Sequence, residues 1–386
     1  MHIIHEAPLA PLTTLGLGGP AAALVELHDS SDFPDAMAYM ESVVDHRGPP
    51  VVLGLGSNAL IHDAGCSAPV LRMANRGIRF LKGSGDDRVL MEVQAGHPLA
   101  DVVEGAVAED LTGMEMLSGI PGTTGATPVQ NVGAYGQETS DILVEVHAWD
   151  RKLQRRVTLS AAACQLGHRT SVFKRSRRWI LLSLVFALRR SPLSAPLVHR
   201  QVAAALDVPL GSRVPQAEAA RAVLAVRRGK GMVLNCSARD SRSCGSVFLS
   251  PEISPAQADR LRPHNAPVHR FPDGSTRVSA SWLLRESGFD LGSPLAAGVR
   301  VSSLHHTLVA EEGATAAAFA QATDVVRRAV HERTGVLLTP EIDFLGDWEP
   351  DPAARRVPNV VSGPPVAIGE SWGRHTAADP GATGRE

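Results

Sequence analysis

Lysine is nearly missing from this 386-residue chain: of 38 basic residues only four are lysine, at positions 82, 152, 174 and 230. Arginine carries the positive charge instead, which reads as compositional bias. The formal net charge is −2, so the basic face that a dedicated nucleic-acid binder needs is lacking. No run of about 18 consecutive apolar residues is present, which excludes a membrane-spanning helix. The N-terminal stretch MHIIHEAPLAPLTTLGLGG has no basic segment followed by an apolar one, so it does not read as a secretory signal. Four cysteines (66, 164, 236 and 244) are scattered, without a CxxC or a Cys/His pair at zinc spacing. They read as small buried hydrophobes in a reducing compartment. HExxH is absent and His305-His306 are adjacent, so their side chains diverge on a regular element. We therefore expect no metal and a cytoplasmic globular protein.

The chain is long enough for two or three packed units, and its 44% hydrophobic content is ample for a core. Residues 22–27 and 51–55 read as buried strands around a helix at about 32–46 that opens after Ser30-Ser31-Asp32. Short strand-like runs follow at 68–73, 78–81 and 88–95, then a helix over 99–110 stopped near Gly113. Strands are expected at 142–149 and 179–188, the second apolar enough to be central. The stretch 158–175 reads as irregular and basic, and Ser191 to Pro196 as a linker. Helices are expected at 215–228, with Pro215 in the first turn, and at 314–334, before a last strand near 336–345. From about Asp347 the chain is rich in Pro, Gly and Ala without periodicity, and reads as a disordered tail.

Two glycine-rich loops carry the first chemical signal. Leu53-Gly54-Leu55-Gly56-Ser57-Asn58 directly follows an apolar strand, where glycines let backbone N–H groups approach a pyrophosphate. A dinucleotide fingerprint would need a third glycine at Asn58-Ala59 and an acid about 20 residues on, and neither is present. The second loop, SGIPGTTGATPVQNVGAYG at 118–136, is long, nearly uncharged and dense in small residues. A purely structural loop of that length in a compact domain is unusual. Two such loops suggest one ligand held between two small subdomains.

The block Ile120 to Gly136, with Gly56-Ser57-Asn58 and Arg169-Thr170-Ser171-Val172-Phe173-Lys174, resembles the UDP-N-acetylenolpyruvoylglucosamine reductase (MurB) family. Arg227-Arg228-Gly229-Lys230-Gly231, Gly245-Ser246-Val247-Phe248, Ser281-Trp282-Leu283, His306-Thr307-Leu308 and Pro340-Glu341-Ile342 extend the likeness over about residues 12–346. The resemblance implies an α+β protein. An FAD-binding domain of the vanillyl-alcohol-oxidase (PCMH) type would occupy 1–190, with subdomains of about 1–75 and 76–190. A smaller substrate-binding domain would span 197–346. It further implies FAD, held non-covalently, and NADPH as hydride donor. The expected reaction reduces the enolpyruvyl ether of a UDP-N-acetylglucosamine substrate to UDP-N-acetylmuramate, a peptidoglycan precursor. We expect a monomer with no nucleic-acid or membrane partner.

Cofactor contacts are expected from Gly54, Gly56, Ser57, Asn58, Ala59, Gly119, Ile120, Pro121, Gly122, Thr123, Gly125, Ala126, Gln130, Asn131, Gly133, Ala134 and Tyr135. The loop 118–136 holds no His or Cys, and His62 and Cys66, just past the first loop, are the nearest candidates for a covalent flavin link. By the same resemblance Arg169 polarises the substrate carboxylate, a role its guanidinium fork suits. Glu341 stands near that carboxylate, Ser246 is the proton donor, Lys230 meets the diphosphate and Ser250 borders the substrate. Several positions depart from the family pattern: His168 replaces a tyrosine, Cys244 an alanine, and Val247, Leu249 and Ser250 alter the wall around Ser246. An alternative therefore stays open, a related flavoenzyme of secondary metabolism acting on another nucleotide-linked substrate.

Overall fold

A computed structural model describes residues 1–43, 48–81, 87–234, 239–271 and 273–348. The expected tail beyond 348, Cys236 and Lys82 lie outside the described residues. The first sheet is built from β1 (His2–Pro8), β2 (Pro20–Leu27), β3 (Val51–Leu53) and β5 (Val70–Met73), in the order β1-β2-β5-β3. β4 (Ala59–Ile61) leaves this sheet and pairs elsewhere. The run AALVEL of β2 is buried almost throughout, since β5 pairs with it in parallel and helix α1 (Phe33–Val43) packs Phe33, Met37 and Met40 against its face. β1 was not foreseen. It is antiparallel to β2 and six of its seven residues are exposed, so no apolar periodicity announces it.

The second sheet is antiparallel. It contains β6 (Ile78–Leu81), β7 (Arg88–Gln94), the short β8 (Leu111–Thr112), β11 (Leu143–Asp150), β12 (Arg155–Ser160) and β13 (Trp179–Arg190). β9 (Gly133–Ala134) and β10 (Gln137–Glu138) form a separate ribbon. The twelve-residue β13 is central, between β11 and β7, and its WILLSLVFAL run fills the core beside α2 (Leu99–Ala108). β12 falls at the start of the stretch expected to be irregular; its polar residues face outward on the sheet edge. Helix α3 (Thr139–Ile142) is a single turn.

After Pro196, α4 (Arg200–Ala205) and α5 (Gln216–Gly229) share no hydrophobic core with the described residues that follow them. Their apolar faces close on Met116, just before the second glycine-rich loop, forming a separate small core. The remaining elements are α6 (Pro255–Leu261), β14 (Val268–Arg270), β15 (Thr276–Val278), α7 (Ala280–Glu286), β16 (Pro294–Ala296), β17 (Val299–Val301), β18 (Leu308–Ala310) and α8 (Ala316–Thr334). They pack around Phe319, Val326 and Val330 of α8. That core also takes in Leu15, Leu17 and Leu60 from the first unit. Thr315 caps α8 through its side chain, and Gly335 ends it in the left-handed region at φ 69°. Asp63, next to β4, accepts from the N–H groups of Ala316 and Ala317 at 2.7 and 2.8 Å, tying the helix start to the first unit. The last strand, β19 (Asp343–Leu345), is shorter than expected and pairs in parallel with β4.

Candidate active site

The loop between β3 and β4 and the loop over 119–134 face each other across one cavity of about 580 Å³. Side chains would close it. A Cβ on Gly54 would stand 2.3 Å from Thr123 Oγ1, and one on Gly56 (φ 55°) 2.3 Å from the Leu12 carbonyl. Gly122 adopts φ 143° and a Cβ there would meet Ser57 Oγ at 3.3 Å. The N–H groups of Leu55, Gly56, Ser57, Asn58, Gly122 and Thr123 donate to no protein acceptor among the described residues. All six residues line the cavity. Such a cradle of free donors suits a phosphate-bearing ligand.

At one wall β19 brings residues 341–343 against the cavity. Asp343 N–H donates to the Asn58 carbonyl at 2.9 Å, and Glu341 N–H donates to the Val247 carbonyl at 2.8 Å. Glu341 is thereby fixed between the first glycine-rich loop and the loop that holds Ser246. Arg169 reaches the same point from the 167–174 loop, where its backbone is held at φ 52°. Its Nε lies 3.1 Å from Glu341 Oε1, while its other two nitrogens donate to the carbonyls of Asn131 (3.2 Å) and Gly133 (3.0 Å). Asn131 and Tyr135 also adopt positive φ, at 45° and 52°. Three non-glycine residues in this region cost on the order of 1–2 kcal/mol each, a concentration of strain usual where geometry serves a ligand.

Around this ion pair runs a polar network. Gln130 Nε2 donates to Glu341 Oε1 at 3.2 Å, and Gln130 Oε1 accepts from Asn58 Nδ2 and Lys174 Nζ, both at 3.1 Å. Lys174 also donates to the Glu341 carbonyl at 3.2 Å and pairs with Asp343 at 2.9 Å. Burial pushes the Glu341 carboxyl above the usual carboxylate range; the positive charges of Arg169 and Lys174 oppose that, and Asp343 reinforces it. Ser246 lines the cavity with an exposed side chain, just after Gly245 at φ 73°. Its neighbour Cys244 is buried, and burial pushes its thiol up to about 12, so it stays protonated. His168 is held down to about 4, first by burial and then by Arg277 and Arg169, so a neutral ring stands where the family pattern has tyrosine.

Most of the residues expected at the site come together. Arg169, Ser246 and Glu341 line the cavity with Gly54, Gly56, Ser57, Asn58, Ala59, Ile120, Pro121, Gly122, Thr123, Gly125, Ala126, Gln130, Gly133 and Ala134. Gly119, Asn131, Tyr135, Lys230 and Ser250 do not. Gly119 faces Leu224, and Asn131 is buried with its amide donating to Glu138 at 2.8 Å. Tyr135 packs edge-on against His199 with centroids 4.9 Å apart. Lys230 donates to Gln201 at 2.7 Å and lies 5.7 Å from the Tyr135 ring centroid. Ser250 is exposed beyond the cavity rim. His62 and Cys66 lie outside the lining, with Cys66 buried in the first core. Arg175, Arg177, Arg227 and Asp343 line the cavity without having been foreseen. Lys174 was visible only as the last residue of the RTSVFK block, with nothing to mark its role.

The glycine cradle and its free backbone donors fit a nucleotide cofactor. Residues 21–152 match the FAD binding domain model, which makes the chain an FAD-dependent oxidoreductase by class. Residues 237–345 match the model of the UDP-N-acetylenolpyruvoylglucosamine reductase C-terminal domain. The reductase of that name from Salinispora arenicola is 41% identical over 349 residues, covering 88% of this chain and 95% of the relative. That from Saccharopolyspora erythraea is 41% identical over 344 residues, covering 86% and 93%. The chain belongs to the UDP-N-acetylenolpyruvoylglucosamine reductase family. The crystal structure of the Thermus caldophilus enzyme of this family matches with TM-score 0.60 at 23% identity, covering 89% of this chain and 98% of that one, and so shares the fold. The residues present fit FAD: the cradle offers donors for its pyrophosphate, and the apolar stretch at Leu99, Leu181 and Trp179 offers a dry wall for a ring. Among the described residues no helix is long and apolar enough to cross a membrane.

Proposed function

We propose that this chain is a cytoplasmic, monomeric reductase that uses NADPH and FAD to convert UDP-N-acetylglucosamine enolpyruvate to UDP-N-acetylmuramate for peptidoglycan synthesis. The observation that carries the reading is the Arg169–Glu341 pair at 3.1 Å, standing in the same cavity as Ser246 and both glycine-rich loops. Bound FAD supplies hydride chemistry that no side chain can perform.

The chain's own residues handle charge and protons. Hydride addition at the terminal carbon of an enolpyruvyl ether leaves negative charge spread into the carboxylate, which must be stabilised. Arg169 offers a planar fork for that carboxylate. Glu341, kept protonated to higher pH than usual by burial, can donate a hydrogen bond there without adding charge. Ser246 delivers the proton to the carbon next to the carboxylate. Lys174 and Gln130 hold Glu341 in place, and Lys230 and Ser250 belong to the outer wall that receives the nucleotide part.

The reading is tested with purified, FAD-loaded protein, NADPH and the enolpyruvyl nucleotide. Consumption of NADPH with formation of a product two hydrogens heavier is expected. Flavin reduction by NADPH without any turnover of this substrate would leave the class intact but refute the substrate.

A further inference from the structure

We propose a second, unrelated site: a divalent transition-metal site on the outer face of the β1–β2 hairpin, formed by His2, Glu26 and His28. The register of the hairpin places these residues together. His2 is the direct cross-strand partner of Glu26, and His28 stands two positions beyond Glu26. Their ligand atoms all lie within 4.8 Å of one another. Glu26 Oε2 lies 3.5 Å from His28 Nε2, close to the edge of about 3.4 Å that a tetrahedral ion imposes at bond lengths of ~2.1 Å. The other oxygen, Oε1, is held by the Arg72 guanidinium from the neighbouring strand β5, as carboxylate ligands commonly are. The Glu26 side chain is only 13% exposed, whereas His28 is 56% exposed, so an ion would reach the site from solvent and keep an open fourth position. Two imidazoles and one carboxylate select zinc over calcium or magnesium, which prefer all-oxygen shells.

The site lies away from the cavity, and none of its residues lines that cavity. Its ligands come from β1, a sheet edge strand, and from β2 and the residue after it, so a bound ion cross-links β1 to the rest of the first unit. The site runs against the expectation of no metal drawn from the sequence, and it stands or falls independently of the reductase chemistry.

The test is titration of zinc ion alone into the FAD-loaded full chain, with calorimetry and a melting curve as readouts. One equivalent should bind in the micromolar range and raise the Tm. His28→Ala and Glu26→Gln should each weaken binding at least tenfold and remove the Tm gain, with NADPH-dependent flavin reduction unchanged. Cobalt ion at the same position should give the visible absorption bands of a tetrahedral site in wild type and not in His28→Ala. Equal zinc affinity in wild type and His28→Ala, or cobalt bands that survive the substitution, would place the ion elsewhere and overturn the proposal. So would the lack of any binding in wild type.

Discussion

Lys174 donates to the main-chain carbonyl of Glu341 at 3.2 Å, and through Gln130 it is linked to the Glu341 carboxyl as well. One of four lysines in the chain thus fixes both ends of the acid that stands against Arg169. The side chain is 11% exposed, so its charge acts with little solvent screening.

Replacing Lys174 by Met should therefore do two things. Loss of its positive charge removes one influence that lowers the Glu341 pKa, so that carboxyl should stay protonated to still higher pH. Loss of its hydrogen bonds should loosen Glu341 and slow substrate reduction on the order of ten- to a hundredfold. The pH profile of flavin reoxidation checks this: its alkaline limb should move to higher pH in Lys174→Met and return partway in Lys174→Arg. A uniformly slower profile with no shift would assign Lys174 to the fold alone.

Gly122→Val should cost flavin occupancy more than stability. The residue sits at φ 143° beside Ser57, in a conformation a β-branched residue disfavours, and its substituent would stand between the two loops. Absorbance of the purified variant should show apo-protein with a near-native melting curve. Full occupancy would contradict the cradle.

A stability effect should arise far from the cavity, in the second sheet. His147 lies between Glu92 and Glu145, and its Nδ1 lies 3.0 Å from Ser183 Oγ. Bonding to Glu92, then to Glu145, raises the His147 pKa against the effect of burial, and the His147 contact is the largest influence bringing Glu92 down to about 2. The raised histidine stabilises the fold fully below about pH 6.5, and that contribution is lost as pH rises through its folded pKa. The depressed glutamate contributes above about pH 4.5 and is lost as pH falls toward 2. Chemical denaturation across pH should show wild type losing stability on the alkaline side, and His147→Gln should lack that loss. An equal alkaline slope in both would remove His147 as its source.

How much of this was legible follows from the lengths involved. β13 could be read because ten residues, 179–188, of nearly unbroken apolar character have no other place than a central strand. The three-residue strands β14 to β18 are too short to show alternation, and their pairing depends on the core around α8. The glycine-rich loops were visible because small residues and hydroxyls cluster there in sequence. The hub of Lys174, Gln130, Asn58 and Asp343 was not, because its members come from four separate segments and meet only when β19 pairs with β4. The same distance in sequence hid the packing of α5 on Met116 rather than on the residues that follow it.

The account turns on Ser246 as a proton donor distinct from hydride delivery, and stopped-flow absorbance of the flavin in two half-reactions tests it most directly. Ser246→Ala should be reduced by NADPH at close to the wild-type rate, because the hydroxyl has no part in that step. Reoxidation by the enolpyruvyl nucleotide should slow on the order of 10²–10⁴-fold, the usual loss when a general acid is removed. Ser246→Cys should recover part of the rate. If Ser246→Ala slows both half-reactions alike, or neither, Ser246 is a turn residue after Gly245 and the assignment of this loop to proton delivery is wrong.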